Sequence, residues 1–395
     1  MSAALLAALS AGAAVAAVDD GAFERFKARF RDDAIAAGIH PDIYDHEMAS
    51  ASLLPKVFER DSNQPEFVRP IWDYLDSALS ETRVANGRAS FHRHGDVLAM
   101  TGEAYGVDPA IIAAIWGLES AYGEILGTND IVSALATLGF DGRRTSFGRR
   151  ELISALTILQ EGYASRDQLK GSWAGAMGQT QFIPSTYLAY AVDQDGDGRR
   201  DLWADLGDVF ASTANYLDQA GWQTGQPWGV EVTLPEGFDY AAADGRRLPV
   251  VEWIRLGVRG ADDVLANTVD PDLAAKLLLP AGANGPAFLT FRNFDVIKRY
   301  NNATSYALGV ALLSDRIKGS GGELKTPWPR GDRPLTRDER EQLQRALADS
   351  GFDPGGVDGV IGPNTRSALR AWQAANDLPA DGYPSARVLS LLLEP

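Results

Sequence analysis

The sequence VDPAIIAAIWGLESAYG, residues 107–123, predicts a helix that lies in the core of a helical domain. Asp108 followed by Pro109 is typical of a helix start, because an Asp side chain caps free amides and the fixed φ of proline suits the first helical position. Gly123 is the expected stop. At 100° per residue the large apolar side chains share one broad face, and the other face carries only small residues that allow close packing.

Glu119 is the one Glu of this helix, and it falls within the large apolar face rather than opposite it. Burial disfavours a carboxylate and raises the pKa of the acid toward the range in which a general acid works at neutral pH. The sequence therefore predicts a catalytic acid at this position. A structural ion pair with an arginine in the core is the alternative, because such pairs also perturb buried acids.

Length and composition indicate a globular protein with more than one domain. The chain has 395 residues, of which 45% are hydrophobic, and this is enough for a substantial core. A formal net charge of -16 argues against a nucleic-acid binder, which needs a basic face to follow phosphates. We therefore expect any bound polymer to be held by hydrogen bonds and ring stacking.

Residues 1–17 are expected to be a signal peptide. Their alanine-rich apolar run ends in small residues, as before a cleavage site, although the usual basic start is absent. A short buried N-terminal helix is the alternative. The chain contains no cysteine, so we expect neither a disulfide framework nor the lipid-attachment residue of a bacterial lipoprotein.

Helical patterns dominate the chain up to residue 317, with one β-rich interruption. Short β-type runs between residues 223 and 290, separated by Gly and Pro, predict a small, mostly antiparallel sheet inserted in a helical domain. The helical segments are expected at 23–67 (closing with the motif QPEF at 64–67), about 74–100, 148–160, 209–221, 294–300 and 306–317.

The stretch GSWAGAMGQTQFIPSTY, residues 171–187, has a different character. Its glycines interrupt an apolar segment and its proline ends any regular element, so the backbone is expected to lie close to another group. Uncharged hydrogen-bonding side chains beside aromatic rings suit sugars. A tight glycine turn in a helical core is the alternative. The side chains concerned are Ser172, Gln179, Gln181, Tyr187, Trp173 and Phe182.

The loop DQDGDGRRD, residues 193–201, matches the first half of a calcium-binding loop. Asp193, Asp195 and Asp197 take the alternating carboxylate positions, Gly198 takes the required glycine position, and Arg199 can offer its carbonyl oxygen. A solvated acidic turn is the alternative. A bound metal would be structural, because nothing in the sequence suggests an open coordination position beside the chemistry.

The second half of this loop departs from the standard pattern. Asp201 fits the next ligand position, but Ala204 stands where the standard loop has its bidentate Glu. Asp205 or Asp208 would have to supply that ligand from a lengthened loop.

Residues 318–334 and 335–395 predict a linker followed by a second module. The linker is rich in Gly, Ser and Pro, which indicates a flexible tether with a stiffer second half. Thr336 and Glu339 form a capping box at the start of the module. Two further helices, the last at about 385–393, complete a bundle.

These motifs, taken in order, resemble the lytic murein transglycosylase B family, glycoside hydrolase family 103. The resemblance spans about residues 23–317 and rests on QPEF, IWGLESAYG, SWAGAMGQTQFIPSTY, the loop at 193–201, ANYL and RYNNATSYA. The module resembles a peptidoglycan-binding domain with the pattern DGxxGxxT at Asp358, Gly359, Gly362 and Thr365. The resemblance implies a mainly α fold, with a lysozyme-like core over 18–317, a small antiparallel β insertion and a C-terminal three-helix bundle.

The resemblance also implies an activity. Such an enzyme cleaves the β-1,4 bond between N-acetylmuramic acid and N-acetylglucosamine in peptidoglycan strands and leaves a 1,6-anhydromuramic acid end. We expect a periplasmic monomer without a lipid anchor, without a nucleic-acid partner and without a cofactor for catalysis. By motif, Glu119 is the sole catalytic acid and base. The implied substrate-binding residues are Ser172, Gln181, Tyr216, Tyr300, Asn301 and Tyr306, and the implied structural calcium ligands are Asp193, Asp195, Asp197, the Arg199 carbonyl and Asp208.

One acid is sufficient for this chemistry, because the 2-acetamido group of the sugar can act as the internal nucleophile. Two other functions stay open at this point. In a lysozyme-type hydrolase, water would attack in place of the C6 hydroxyl. A non-catalytic cell-wall-binding protein would keep the fold, but an unpaired buried acid has no use in a binder.

Overall fold

The computed structural model describes residues 20–62, 69–243, 245–262, 265 and 269–394. The expected signal peptide and the QPEF motif lie outside the described residues. In the part that is described, no helix is both long enough and apolar enough to cross a bilayer. The chain divides into two compact units; the first contains residues 20–62, 128–176 and 183–185, and the second contains the remainder.

The structure is helical with few strands, which confirms the predicted mainly α class. In chain order the helices are α1 (Asp20–Ala36), α2 (Pro41–Ala49), α3 (Pro55–Ser62), α4 (Ile71–Ala78), α5 (Glu81–Arg93), α6 (Gly95–Tyr105), α7 (Pro109–Ser120), α8 (Ile131–Phe140), α9 (Thr145–Gln160), α10 (Pro184–Tyr190), α11 (Leu206–Gln219), α12 (Val250–Arg255), α13 (Arg292–Tyr300), α14 (Thr304–Lys318), α15 (Arg337–Asp349), α16 (Pro363–Ala375) and α17 (Ala386–Leu393). The strands are β1 (Asn129–Asp130), β2 (Lys170–Gly171), β3 (Gly229–Thr233), β4 (Arg247–Pro249), β5 (Arg259–Gly260), β6 (Ala274–Leu278) and β7 (Ala287–Thr290).

The first unit is built on the close pairing of α8 with α9. A Cβ added to Gly148 of α9 would overlap the backbone nitrogen of Gly139 in α8, so the two backbones touch where both residues lack a side chain. Phe26 of α1 stacks on Phe30 with ring centroids 5.5 Å apart and packs against Phe140 at the end of α8. Buried rings and direct backbone packing thus hold this unit together.

The core of the second unit surrounds α7, as the sequence predicts. Ile112, Ile115 and the small residues between them are fully buried, packed among α5, α6, α11 and α14. The small residues of α7 leave room for the Tyr122 side chain. Its ring folds back over Gly117, and its hydroxyl reaches Gly87 of α5. A Cβ at either glycine would overlap Tyr122, so the small residues are a steric requirement.

The β-rich insertion forms a five-stranded sheet in the order β4-β6-β7-β3-β5. Every neighbouring pair is antiparallel, which confirms the predicted small antiparallel insertion. One face of the sheet packs on α12, where Trp253 is fully buried and donates from Nε1 to the Ala275 carbonyl at 3.0 Å. The insertion therefore has its own small apolar core.

Two predicted helix boundaries are wrong. The single helix expected at about 74–100 is three helices, because Ser80 accepts a hydrogen bond from the Arg83 amide and starts α5 anew. Helix α7 ends at Ser120 rather than at Gly123, since Ala121 and Tyr122 adopt left-handed φ angles of 52° and 64°. This reversal places the Tyr122 hydroxyl 2.9 Å from the Arg83 carbonyl, to which it donates.

The segment 318–334 is held against the rest of the second unit, in contrast to the flexible tether that its composition indicates. The two oxygens of Glu231 in β3 accept the Lys325 and Thr326 amides at 3.0 and 2.8 Å. Arg330 forms a bidentate ion pair with Asp76 of α4 at 2.7 and 2.8 Å. The module begins with the predicted capping box of Thr336 and Glu339 and forms the predicted three-helix bundle.

Candidate active site

Glu119 and Tyr306 meet in the second unit. Glu119 is in the last turn of α7, which the Asp108 carboxylate caps by accepting the Ala110 amide at 2.9 Å. Tyr306 is in the first turn of α14, and its hydroxyl donates to Oε1 of Glu119 at 2.6 Å. Within the described residues Glu119 forms no ion pair, so the alternative of a structural pair with a core arginine does not hold.

Burial raises the pKa of Glu119 from the usual 4.5 to about 7, and the hydrogen bond from Tyr306 opposes the rise. The side chain is nonetheless partly exposed, so protein atoms surround the carboxyl while part of its surface stays accessible. Burial and the nearby Glu119 raise the pKa of Tyr306 well above 10, so this hydroxyl keeps its proton. Glu119 is therefore an accessible acid that keeps its proton at pH values where an ordinary glutamate is ionised.

A cluster of aromatic rings lies near Glu119 and Tyr306. Tyr300, at the end of α13, donates its hydroxyl to the Thr180 carbonyl at 2.6 Å, and Glu119 contributes to the raised pKa of Tyr300. The Tyr216 ring lies 5.1 Å from the Tyr300 ring and 5.9 Å from Phe182, and its hydroxyl donates to the Arg299 carbonyl at 2.6 Å. Phe182 is buried, whereas Tyr216 and Tyr300 are partly exposed and offer ring faces on which the apolar side of a sugar can stack.

The remaining predicted substrate residues have local roles that the structure defines. Gln181 has a left-handed φ of 52° and donates from Nε2 to the carbonyls of Gly178 and Leu126 at 2.9 and 3.2 Å. Asn301 is exposed and accepts the Ala303 amide at 3.1 Å. Ser172 belongs to the first unit, where its Oγ accepts the Ala176 amide at 3.0 Å. Their contacts with a sugar stay a prediction.

The structure gives Gln179 a role that the sequence does not reveal. This side chain is one of the hydrogen-bonding groups expected to contact a sugar, yet its Oε1 accepts from Nε1 of Trp116 at 2.7 Å and its Nε2 donates to the Trp203 carbonyl at 2.8 Å. A Cβ at Gly123 would overlap Oε1, so the turn after α7 also lies against it. Gln179 thus joins α7 to the segment that follows the acidic loop.

The acidic loop at 193–201 has the geometry of a cation site. One oxygen from each of Asp193, Asp195 and Asp197 lies within 4.8 Å of the others. Gly196 and Gly198 both have positive φ angles, and their amides donate to Asp193 at 2.7 and 2.9 Å, which folds the loop around the carboxylates. Three converging carboxylate oxygens fit a hard divalent cation such as calcium.

Asp208 joins the two ends of this loop. It is buried, with one oxygen accepting the Gln194 amide at 2.7 Å and the other accepting the Asp201 amide at 2.6 Å. Burial raises the pKa of Asp208 to about 6, and the charges of Asp205 and Asp193 add to the rise. Asp205 instead caps α11 by accepting the Asp208 amide at 3.0 Å, so the structure gives the two candidates for the last ligand different local roles.

An accessible acid of raised pKa beside uncharged hydrogen-bonding groups is the arrangement that general acid catalysis requires. The family model described as Transglycosylase SLT domain matches residues 22–315, and that described as Putative peptidoglycan binding domain matches residues 336–392. The chain therefore belongs to the SLT transglycosylase family of peptidoglycan-cleaving enzymes.

Individual relatives support the same family assignment. Membrane-bound lytic murein transglycosylase B of Escherichia coli (strain K12) is 34% identical over 250 residues, or 62% of this chain and 66% of that protein. The chain thus spans about two thirds of the length of that curated relative. SltB3 from Pseudomonas aeruginosa, solved in complex with NAG-anhNAM-pentapeptide, is 48% identical with a TM-score of 0.89 over 94% of this chain and 99% of that one.

A third relative is the lytic transglycosylase Slt35 of Escherichia coli, solved in complex with calcium. It is 30% identical, with a TM-score of 0.63 over 75% of this chain and 93% of that one.

Proposed function

We propose that this protein cleaves the β-1,4 bond between N-acetylmuramic acid and N-acetylglucosamine and leaves a 1,6-anhydromuramic acid end. The observation that carries the proposal is the Glu119 carboxyl, which has a pKa of about 7 and is held by the Tyr306 hydroxyl. SltB3 has been solved with NAG-anhNAM-pentapeptide and with NAG-NAM-pentapeptide, and these complexes support the same substrate class here.

Glu119 acts first as the acid. Because Tyr306 donates to Oε1, the carboxyl proton is carried by Oε2, from which it passes to the oxygen of the leaving sugar. The carboxylate that forms is a stronger acceptor than the neutral acid, so the bond from Tyr306 strengthens as the proton leaves. Tyr306 thus positions the acid and stabilises its anionic form.

Glu119 acts next as the base. Burial and Tyr306 account for its pKa, and among the described residues no charged side chain contributes to the shift. A second carboxylate is not needed when the acetamido group of the muramic acid attacks the reacting carbon from within the substrate. The Glu119 carboxylate then takes the proton of the C6 hydroxyl, which closes the 1,6-anhydro ring and releases the acetamido group.

Neutral side chains bind the substrate in this proposal. Asn301 orients and polarises the acetamido group, and Gln181 hydrogen-bonds a sugar hydroxyl. Tyr216 and Tyr300 supply ring faces for stacking. These assignments rest on the family resemblance together with the uncharged, hydrogen-bonding character of the residues.

The product distinguishes this reaction from simple hydrolysis. Purified murein is digested in water enriched in heavy oxygen, and the new ends are analysed by mass spectrometry. We expect ends lighter by one water than a hydrolysed end and free of label, because the C6 hydroxyl rather than solvent attacks. Predominantly labelled reducing ends would instead identify a lysozyme-type hydrolase with Glu119 still acting as the acid.

We also propose that the 193–201 loop binds a structural calcium ion through Asp193, Asp195, Asp197, the Arg199 carbonyl and Asp208. The three converging carboxylates support this, as does the calcium complex of Slt35. Millimolar calcium is expected to raise the melting temperature of chelator-treated protein, because an ion bound only by the folded state stabilises it. Asp195→Ala should lose this response, whereas Asp218→Ala, at an exposed position in α11, should keep it.

We propose the periplasm as the place of action, because peptidoglycan lies outside the inner membrane. Fractionation of cells that express the full chain tests this, and recovery in the cytoplasmic fraction alone would contradict it.

A further inference from the structure

A cavity of about 500 Å³ lies between the C-terminal module and the β-rich insertion, within the second unit. One wall is apolar and is formed by the end of β6 together with residues at the start of α16. The other wall carries two arginines, an aspartate and a tyrosine. The lining residues that matter are Leu277, Leu278, Ile361, Pro363, Arg366, Arg370, Asp381 and Tyr383.

Direct hydrogen bonds join the C-terminal module to the β-rich insertion beside this cavity and hold its two walls together. Asp381 of the module accepts the Ala283 amide of the insertion at 2.7 Å. Its other oxygen accepts from the Gln373 side chain at 2.8 Å and from the Tyr383 amide at 2.9 Å. Gly282 has a positive φ of 67°, and a Cβ there would clash with Asp381 and Tyr383. The module can approach this closely only because the residue is glycine.

The charge within the cavity is positive. Three donors occupy the oxygens of the Asp381 carboxylate, and the lining holds two arginines against this one acid. Arg366 is exposed on α16 and forms no ion pair with any described residue, and Arg370 is half-buried one turn later. Burial raises the pKa of Tyr383 to about 12, the charges of Asp332 and Asp381 add to the rise, and Arg366 opposes it, which places Arg366 close to that phenol. A guanidinium beside a phenol hydroxyl is suited to bind a carboxylate.

We propose that this cavity binds a carboxylate of the peptide stem of peptidoglycan, with Arg366 and Tyr383 as donors and the Leu277 side as the apolar wall. The proposal rests on the function proposed above and names a second part of the same substrate. A peptide stem carries carboxylates and small apolar side chains, which match the two walls. The sugar backbone lacks that combination. The enzyme would thus bind the stem at a position distinct from Glu119.

Two substitutions at Gly362 test whether a negative charge in the cavity weakens peptide binding, with little risk to folding. Gly362 lines the cavity at the N-cap of α16, its φ is -84°, and a Cβ there meets no atom within 4 Å. Asp and Asn are both favoured at an N-cap, and they differ here only in charge. Calorimetric titration of the full chain with free stem pentapeptide should show binding that Gly362→Asp weakens at least about tenfold and that Gly362→Asn keeps.

Arg366→Ala gives the second measurement. It should weaken binding of the pentapeptide by a similar factor, whereas Arg345→Ala, an exposed arginine of α15 outside this cavity, should not. The proposal is overturned if the pentapeptide does not bind at millimolar concentration. Equal binding by Gly362→Asp and Gly362→Asn, equal binding of a pentapeptide whose carboxylates are amidated, or full binding by Arg366→Ala would overturn it as well.

The test of peptide binding to this cavity can fail independently of the test of the proposed transglycosylase reaction. Cleavage of a peptide-free glycan should be the same in Arg366→Ala as in the unaltered chain, because the cavity contacts only the stem. Loss of peptide binding with anhydro products retained supports both proposals. Labelled reducing ends together with intact peptide binding would remove the transglycosylase proposal and leave the carboxylate site standing.

Discussion

At the scale of single residues, the bond between Tyr306 and Glu119 links the stability of the protein to its chemistry. A carboxyl whose pKa is about 7 in the folded state and 4.5 otherwise holds its proton in the fold over a pH range where the unfolded chain releases it. The free energy of unfolding therefore falls as pH rises from about 4.5 to 7, by about 3 kcal/mol for a shift of this size.

Glu119→Gln removes both the acid and this titration. Cleavage of purified sacculi should fall at least about a hundredfold, because an amide cannot transfer the proton. Urea unfolding should show the variant to be close to the unaltered chain in stability near pH 4.5 and more stable by up to about 3 kcal/mol at pH 8. Glu124→Gln, at an exposed position in the following turn, is the control and should change neither measurement. A stability difference that is constant with pH would contradict the assigned pKa.

Tyr306→Phe should shift the pH dependence of cleavage. The hydroxyl bond lowers the pKa of Glu119, so its loss raises that pKa further. The descending limb of kcat/KM, which follows loss of the acid proton, should move to higher pH while kcat falls. Tyr74→Phe is the matched control. Burial and the charge of Glu119 raise the pKa of Tyr74 to about 12, which shows that this phenol is near, but Tyr306 is the residue that donates to the acid. An unmoved limb in Tyr306→Phe would exclude the positioning role.

At the scale of elements, one amide side chain determines how α7 meets the segment after the acidic loop. Gln179→Leu keeps the volume but leaves Nε1 of Trp116 and the Trp203 carbonyl without their partner. Unpaired buried groups cost about 1–3 kcal/mol each, so we expect the loss of two partners to lower the free energy of unfolding by about 2–6 kcal/mol in urea unfolding.

The control for this substitution is Gln219→Leu, at an exposed position in α11 where the amide bonds only Asn215. It should change the free energy of unfolding by no more than about 0.5 kcal/mol. If Gln179→Leu behaved in the same way, the bridge would be dispensable and α7 would be held by packing alone.

At the scale of the whole molecule, the linker of residues 318–334 is bound to the rest of the second unit. Glu231 holds the Lys325 and Thr326 amides, and Arg330 is paired with Asp76. We expect the chain to resist trypsin at Lys325 and Arg330, because cleavage requires local opening. Glu231→Ala removes two hydrogen bonds and should raise the cleavage rate about tenfold. Glu236→Ala, at a nearby exposed position, should not. Rapid cleavage of the unaltered chain at these residues would instead indicate the flexible tether that the composition predicts.

The sequence by itself determines the features that depend on neighbours within a few residues. The Asp108–Pro109 start of α7, the place of Glu119 within an apolar face, the alternating aspartates at 193–197 and the capping box at 336–339 are all confirmed as local structure. Each depends on helical or loop geometry that a short stretch specifies by its own spacing. The resemblance to a known family then supplied the fold class.

Only the tertiary structure decides contacts between distant residues. Tyr306 lies 187 positions after Glu119, and no local spacing shows that its hydroxyl and not an arginine meets the acid. The role of Gln179, the early end of α7 under the Tyr122 ring and the seating of the linker on Glu231 have the same origin. In each case a polar group meets a partner that is distant in sequence, and packing across the whole unit decides which partner that is.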